Sequence, residues 1–297
     1  MIQSQKYTAS TDPAELGFEP ADNGRIWFDR RFSASLGRAG LTGFEQIMAR
    51  TDARCEKILE DREVWHLRVR APDNKSQGLY LKKHHVRSWV GKLRALLGIR
   101  PAPTPARIEA KNVAALSAQG IAVTKLIAYG ERLRSDGLQE SFVISEELEN
   151  YSELHHYLRG RFVLSPLGRR TSRDHDLMRL VSDIARIVRR LHAAGYNHRD
   201  LYCCHFFVKD MAPARREIRL IDLQRVQRRR WFRRRWIVKD LAQLAWSAPS
   251  CCIKRTHKMA FIREYLGAAK LRPTDKRLIR AVLVKQRRME RRLGNDN

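Results

Sequence analysis

The sequence predicts an α+β chain of two lobes, a small strand-rich N-lobe and a larger helical C-lobe. Three observations carry this. Short apolar segments with strand-like alternation cluster between about residues 55 and 147, with one helical stretch among them. Apolar residues recur at helical spacing through most of the chain after residue 149. At 297 residues, 43% of them apolar, the chain is long enough for two lobes and rich enough in core-forming side chains to fill them.

Residues 1–40 carry Gly, Pro and polar residues with little periodicity and read as a loosely packed extension. Residues 41–148 form the expected N-lobe. Within it, VWHLRVRA alternates as a strand from Val64 to Val69, PDNKSQG turns, and LYLKKHH supplies a second strand, giving a hairpin. The Pro-rich GIRPAPTPA leads into a helix from about Pro105. That helix carries Ile108, Val113 and Leu116 on its apolar side and ends at Gly120. IAVTKLIAYGER and QESFVISEEL read as two further strands.

Residues 149–297 form the C-lobe. Leu177, Leu180, Val181, Ile184, Ile187, Val188 and Leu191 keep helical spacing, and Gly195 stops that helix just before His198. HFFVK and IRLID flank DMAPARRE as a hairpin. KDLAQLAWSA, THKMAFIREYLG and the basic DKRLIRAVLVKQRRMERRL read as helices. The last of these, about Asp275 to Arg292, sets Leu278, Ile279, Val282, Leu283 and Met289 against many Arg and Lys. Two readings stand: a helix lying on a membrane, or one packed on a core and solvated on its other face.

The formal net charge is +27, which implies an anionic partner: nucleic acid, a membrane surface or an acidic substrate. The five cysteines include two adjacent pairs and no C-x-x-C spacing. They read as reduced thiols, which favours the cytoplasm. The N-terminus lacks an apolar signal core, and no run approaches the length of a membrane span. The chain is expected to be soluble or to sit on a membrane without crossing it.

The order of the polar residues is informative. A strand carries Lys82, a helix carries Glu109, a long helix leads into His198-Arg199-Asp200, and a hairpin ends in Ile221-Asp222. Strand lysine, helix glutamate, loop aspartate and strand-end aspartate follow one another in this order in the protein-kinase fold. Phosphoryl transfer asks little covalent chemistry of a protein and much positioning and charge neutralisation, which these residue types supply.

HRDLYCCHFF, LIDLQRVQ and RWIVKDLAQLAWSA, in that order, resemble the Kdo/WaaP-type lipopolysaccharide kinases, over roughly residues 60 to 270. The resemblance implies a two-lobed, protein-kinase-like fold. It also implies an ATP-dependent phosphotransferase acting on a sugar hydroxyl, heptose or Kdo, of the lipopolysaccharide inner core. Asp200 would accept or orient the proton of the attacking hydroxyl. Asp222 would hold Mg²⁺ or Mn²⁺ against the phosphates, with His205, five residues after Asp200, as a second metal ligand. Lys82 would contact the α- and β-phosphates of ATP and Glu109 would pair with it. Lys83 competes for that role, but strand alternation points the two lysines to opposite faces, and the family pattern favours Lys82. Asp240 would brace the catalytic loop by accepting backbone N–H bonds. His198 is expected as a packed, hydrogen-bonded residue and Arg199 as a salt-bridge partner.

Two features depart from kinase patterns. No Gly-rich phosphate loop stands near residues 50 to 65, and Gln224 follows Asp222-Leu223 where the family often carries His. They motivate two alternatives: a kinase of another acceptor, protein or small molecule, and a catalytically weak kinase-like protein binding nucleic acid or membrane. Between Arg215 and Lys239 stand eleven Arg and Lys in 25 residues, with Trp231, Phe232 and Trp236 among them. Such a run suits phosphates and anionic headgroups. Arg225, Arg228 and Arg229, directly after Asp222, are the expected acceptor or anion contacts. The partners expected are the lipopolysaccharide inner core or another anionic glycolipid and the cytoplasmic surface of the inner membrane, with nucleic acid less favoured.

Overall fold

A computed structural model describes residues 17–87, 102–134, 138–162, 172–212, 215–229 and 231–293. The chain divides into two compact units. One holds residues up to Ala118 together with Thr124–Glu149; the other holds Gln119–Val123 and everything from Asn150 onward.

In the first unit the strands are β1 (Phe18–Ala21), β2 (Ile26–Asp29), β3 (Arg54–Ile58), β4 (Arg62–Arg70), β5 (Ser76–Arg87), β6 (Leu126–Leu133) and β7 (Leu138–Glu146). Among the described residues they form one antiparallel sheet in the order β1-β2-β6-β7-β5-β4-β3. Alternation sets its two faces. Trp65, Leu67, Val69, Leu79 and Leu81 pack with Phe32, Leu36, Leu41, Phe44 and Ile47 in one core cluster. Leu126, Tyr129 and Val143 pack with Ala106 and Ala110 of helix α3 (Pro105–Ala118) in another.

Residues 17–40 correct the expectation of a loose extension. They form β1, β2 and helix α1 (Ser33–Arg38), followed by α2 (Phe44–Ala49), and Phe32, Leu36, Phe44 and Ile47 are fully or almost fully buried. Their elements, of four to six residues each, are too short for a period to show in the sequence, yet the sheet face they cover needs covering. Residues 1–16, the rest of the expected extension, lie outside the described residues, as do 98–101 of the Pro-rich loop.

The second unit is mainly helical: α4 (Leu154–Arg161), α5 (Ser172–Ala193), α6 (Arg233–Ser247), α7 (Arg255–Leu266) and α8 (Pro273–Leu293). Leu177, Leu180, Ile184, Val188 and Leu191 of α5 are buried, as their spacing predicts. Gly195, at φ +92°, turns the chain out of α5 into a short strand β9 (Tyr196–Asn197). The hairpin β10 (Phe206–Ala212) with β11 (Arg215–Leu220) pairs in turn with the short β8 (Ser152–Glu153), and β9 pairs with β12 (Gln227–Arg228). No helix among the described residues is long and apolar enough to cross a membrane. All five cysteines are free thiols.

Candidate active site

In the first unit, strand alternation separates Lys82 from Lys83. Lys82 Nζ lies 2.9 Å from Glu109 Oε1 of α3, and both side chains are largely buried. Lys83 points to the opposite face. Its Nζ bonds the Arg50 carbonyl, lies 3.5 Å from Glu63 and sits 5.1 Å from the centre of the Trp65 ring. Burial holds the Lys83 pKa below its ordinary value against the pull of Glu63. Only Lys82 of the two meets a helix glutamate.

In the second unit, the loop after β9 is fastened to one face of α6. Asp240 is fully buried; its Oδ2 accepts from the backbone N–H of His198 and its Oδ1 from that of Arg199, both at 2.8 Å. His192 Nε2 reaches Asp240 Oδ2 at 3.1 Å, and His192 Nδ1 meets the Tyr265 hydroxyl at 2.8 Å. The carboxylate can only accept, so His192 carries its proton on Nε2 and Tyr265 donates to Nδ1. Burial raises the Tyr265 pKa, which keeps that hydroxyl a donor. Lys239 Nζ bonds the Arg199 carbonyl. Gln243 Oε1 accepts from Leu201 N–H at 3.3 Å, and Ser247 Oγ accepts from Cys203 N–H at 2.8 Å. Positions 239, 240, 243 and 247 share one helical face, so the helix pins residues 198–203 from end to end.

These bonds hold Arg199 in the left-handed region at φ +70°, which reverses the chain and presents Asp200. Asp200 Oδ2 lies 3.0 Å from Arg225 Nη1, and Gln243 Nε2 donates to Asp200 Oδ1 at 3.3 Å. Both carboxylate oxygens are thereby oriented. Arg199 makes no salt bridge among the described residues, contrary to the expectation. Its guanidinium stacks on Trp236 at 4.8 Å, because an aromatic side chain of α6 rather than a carboxylate stands above it.

Asp222 also adopts left-handed backbone, φ +56° and ψ 63°, at the end of β11. The short aspartate tolerates this conformation. Its Oδ2 lies 3.8 Å from His205 Nε2. The other His205 nitrogen, Nδ1, is 2.6 Å from the Asp200 carbonyl oxygen. That oxygen accepts only, so Nδ1 carries a proton and the neutral ring turns its Nε2 lone pair toward the Asp222 carboxylate. Burial pushes the His205 pKa down, but Cys204, the Asp200 carbonyl and Asp222 together outweigh it and leave it raised. Either a proton or a metal cation between Nε2 and Oδ2 relieves this apposition. His198 stacks on His205 at 5.6 Å and donates through Nε2 to the Ile221 carbonyl at 3.2 Å. Burial, then repulsion from His205 whenever that ring is protonated, push the His198 pKa down to about 4.

The cations of the Arg-rich segment do not all face the same way. The Arg216 side chain is buried and paired with Asp176, while Arg219, three positions on and so on the other face of β11, is partly exposed and pairs with Glu217 on its own face. Arg228 lies 5.9 Å over Tyr196, while Arg229 bonds Gln227 and lies 4.8 Å over Trp236. Arg225 faces Asp200 itself. Arg230 lies outside the described residues. Sequence reasoning missed Gln243, Lys239, His192 and Tyr265. The spacing of Lys239, Asp240, Gln243 and Ser247 signals a shared helix face, but nothing local marks what that face bonds.

The family model described as the lipopolysaccharide kinase (Kdo/WaaP) family matches residues 62–265. The lipopolysaccharide core heptose(I) kinase WaaP of Pseudomonas aeruginosa is 33% identical over 208 residues, 69% of this chain and 75% of that protein. The protein of the same description in Escherichia coli is 30% identical over 218 residues, 72% and 80% of the two. A solved structure, WaaP in complex with acyl carrier protein, superposes with a TM-score of 0.65 at 28% identity, covering 91% of this chain and 99% of that one.

Proposed function

From the premise that this chain belongs to the lipopolysaccharide kinase (Kdo/WaaP) family and is therefore a kinase-like phosphotransferase, we propose that it transfers the γ-phosphoryl of ATP to the first heptose of the lipopolysaccharide inner core. The observation that carries this reading is the Asp200 carboxylate, oriented through one oxygen by Arg225 and through the other by Gln243, on a loop pinned by Asp240. A carboxylate so placed serves as the base for a sugar hydroxyl, a role that contributes about 10²–10⁴-fold. Arg225 is half-exposed beside it and suits an anionic acceptor as well as Asp200. Arg228 and Arg229, set on aromatic rings, offer guanidinium planes to the phosphates and carboxylates of the inner core.

Lys82, fixed by Glu109, is the proposed contact to the α- and β-phosphates. Asp222 and His205 are the proposed metal donors, and the facing lone pair and carboxylate fit a cation between them. Mg²⁺ is an ion bound through one or two protein groups plus phosphates and water, which two such donors would serve. His205 also admits Mn²⁺. When bound, the ion neutralises charge on the phosphates; the protein's part is to hold it and to keep Asp200 in place.

The excess of Arg and Lys supports peripheral attachment to the cytoplasmic face of the inner membrane, where the acceptor lies. The solved relative carries acyl carrier protein, and we extend that partner to this chain on one observation. In the second unit a cavity of about 530 Å³, lined by Leu180, Ile184, Leu244, Phe261 and Val282, has Arg255 and Lys258 at its edge. An apolar cavity with cations beside it suits an acyl chain on an acidic carrier. Co-elution of acylated carrier with the full chain checks this.

The test of the main reading is Asp200→Ala. It should abolish phosphate transfer to dephosphorylated core lipopolysaccharide while leaving the thermal midpoint close to wild type, because Asp200 is part-exposed and buries no packing. Transfer at the wild-type rate would remove Asp200 from the mechanism.

A further inference from the structure

A second cavity in the helical unit, about 570 Å³, opens where the C-terminal end of α5, the first turn of α6 and the start of α8 come together. Its charged lining is one-sided. Arg189, Arg233, Arg234 and Arg277 line it, against the single carboxylate of Asp275. Asp275 is occupied in capping α8, accepting from Arg272 N–H at 2.8 Å. Arg233 donates to the His192 carbonyl, and its Nε is buried with no hydrogen-bond partner. Arg189, Arg234 and Arg277 make no ion pair among the described residues. The guanidinium of Arg189 rests against Gly267, φ +63°, in the space a Cβ there would take. Thr274 adds a hydroxyl, and Ala193, Ile237, Tyr265 and Leu278 make the floor apolar.

Beside this cavity in the chain stand Trp231 and Phe232, 80% and 88% exposed. Phe232 caps α6 in left-handed backbone, φ 55°, a conformation that costs a bulky residue about 1–2 kcal/mol. Two adjacent exposed aromatics, the second on left-handed backbone, beside guanidinium groups that make no ion pair among the described residues, have the composition of a bilayer-interface contact.

We propose that this cavity binds the phosphate headgroup of an anionic membrane phospholipid, with Trp231 and Phe232 entering the interface beside it. The occupant is lipid rather than a free phosphate because the floor is apolar and the neighbouring tip is aromatic. The inference rests on the peripheral-membrane reading and specifies where the membrane is gripped.

The test uses the full chain and vesicles of equal parts phosphatidylcholine and phosphatidylglycerol, with phosphatidylcholine alone as the neutral arm. Arg189→Gln with Arg277→Gln removes two of the cavity's charges at exposed positions. Arg68→Gln with Arg70→Gln, also exposed, removes the same charge from the sheet unit. Wild type should bind the anionic vesicles and not the neutral ones. The cavity variant should bind roughly ten- to thirtyfold more weakly, at about a factor of five per cation, and the sheet variant should stay near wild type. Tryptophan emission should shift to the blue on vesicle addition, and Trp231→Phe should remove that shift. A wild type that ignores anionic vesicles overturns the membrane reading itself. Equal losses in the two double variants overturn the cavity, since diffuse charge then suffices. Full displacement of vesicles by inorganic phosphate overturns the lipid as occupant. So does a cavity variant that keeps its vesicles but loses an acidic carrier protein. A shift that persists in Trp231→Phe overturns the role of the aromatic tip.

Discussion

Asp240→Asn tests the brace on which the placement of Asp200 depends. The carboxylate is fully buried and accepts three bonds: 2.8 Å from His198 N–H, 2.8 Å from Arg199 N–H and 3.1 Å from His192 Nε2. Asparagine keeps the volume and one oxygen. That oxygen is best spent on His198 and His192, which share Oδ2. The amide nitrogen then faces the N–H of Arg199, donor against donor. One charge-assisted bond is lost and a buried donor is stranded, a cost of about 2–4 kcal/mol. Arg199 also loses the contact that holds it at φ +70°, a conformation unfavourable by about 1–2 kcal/mol. The loop therefore relaxes at the residue before Asp200. Against a total stability of about 5–15 kcal/mol, the variant stays folded but is clearly weakened. Urea unfolding should show the midpoint fall with the slope unchanged. Phosphate transfer, measured where the variant is folded, should drop about 100-fold, the scale for an ångström-sized misplacement of a reacting group. A stability change under about 0.5 kcal/mol with transfer within about twofold of wild type would refute the reasoning.

Two further outcomes follow from the same geometry. Lys82→Met should abolish transfer and strand Glu109, at a cost of about 1–3 kcal/mol, whereas Lys83→Met, which replaces a desolvated ammonium under Trp65 by an apolar chain of similar volume, should keep transfer and stay within about 1 kcal/mol of wild type; the paired assays tell which lysine serves the nucleotide. His198, with its pKa pushed down to about 4 from an ordinary 6.5, favours the neutral ring in the fold. Its contribution is present above pH 6.5 and is lost as pH falls toward 4, a loss of about 3 kcal/mol at about 1.4 kcal/mol per unit. Urea midpoints of chelator-treated protein between pH 7 and 4.5, compared with those of His198→Asn, should show this slope in wild type and its absence in the variant.

Periodicity decided most of the elements by itself. The β4–β5 hairpin, helix α3 and helices α5 to α8 follow from local alternation or helical spacing, because each element must bury one face whatever it packs on. The order of Lys82, Glu109, Asp200 and Asp222 was likewise legible, since motif order is a property of the chain. Residues 17–49 were not, because β1, β2, α1 and α2 are only four to six residues each, too short for either period to show, and their apolar side chains are placed by the sheet face they cover. Nor does composition say which cations of the Arg-rich run turn inward; the Arg216 side chain is buried against Asp176.

The sequence by itself determined what the chain can be: which residue types recur in kinase order, and that Lys82 and Lys83 alternate to opposite faces so that only one can meet α3. Only the tertiary structure decided how those residues are set. Strand alternation separates Lys82 from Lys83, but the Glu109 carboxylate that meets Lys82 arrives from a helix 27 residues away. The backbone of Arg199 is left-handed because Asp240, 41 positions on, accepts its N–H. Hydrogen bonds and desolvation depend on distance in space, and distance along the chain carries no record of it.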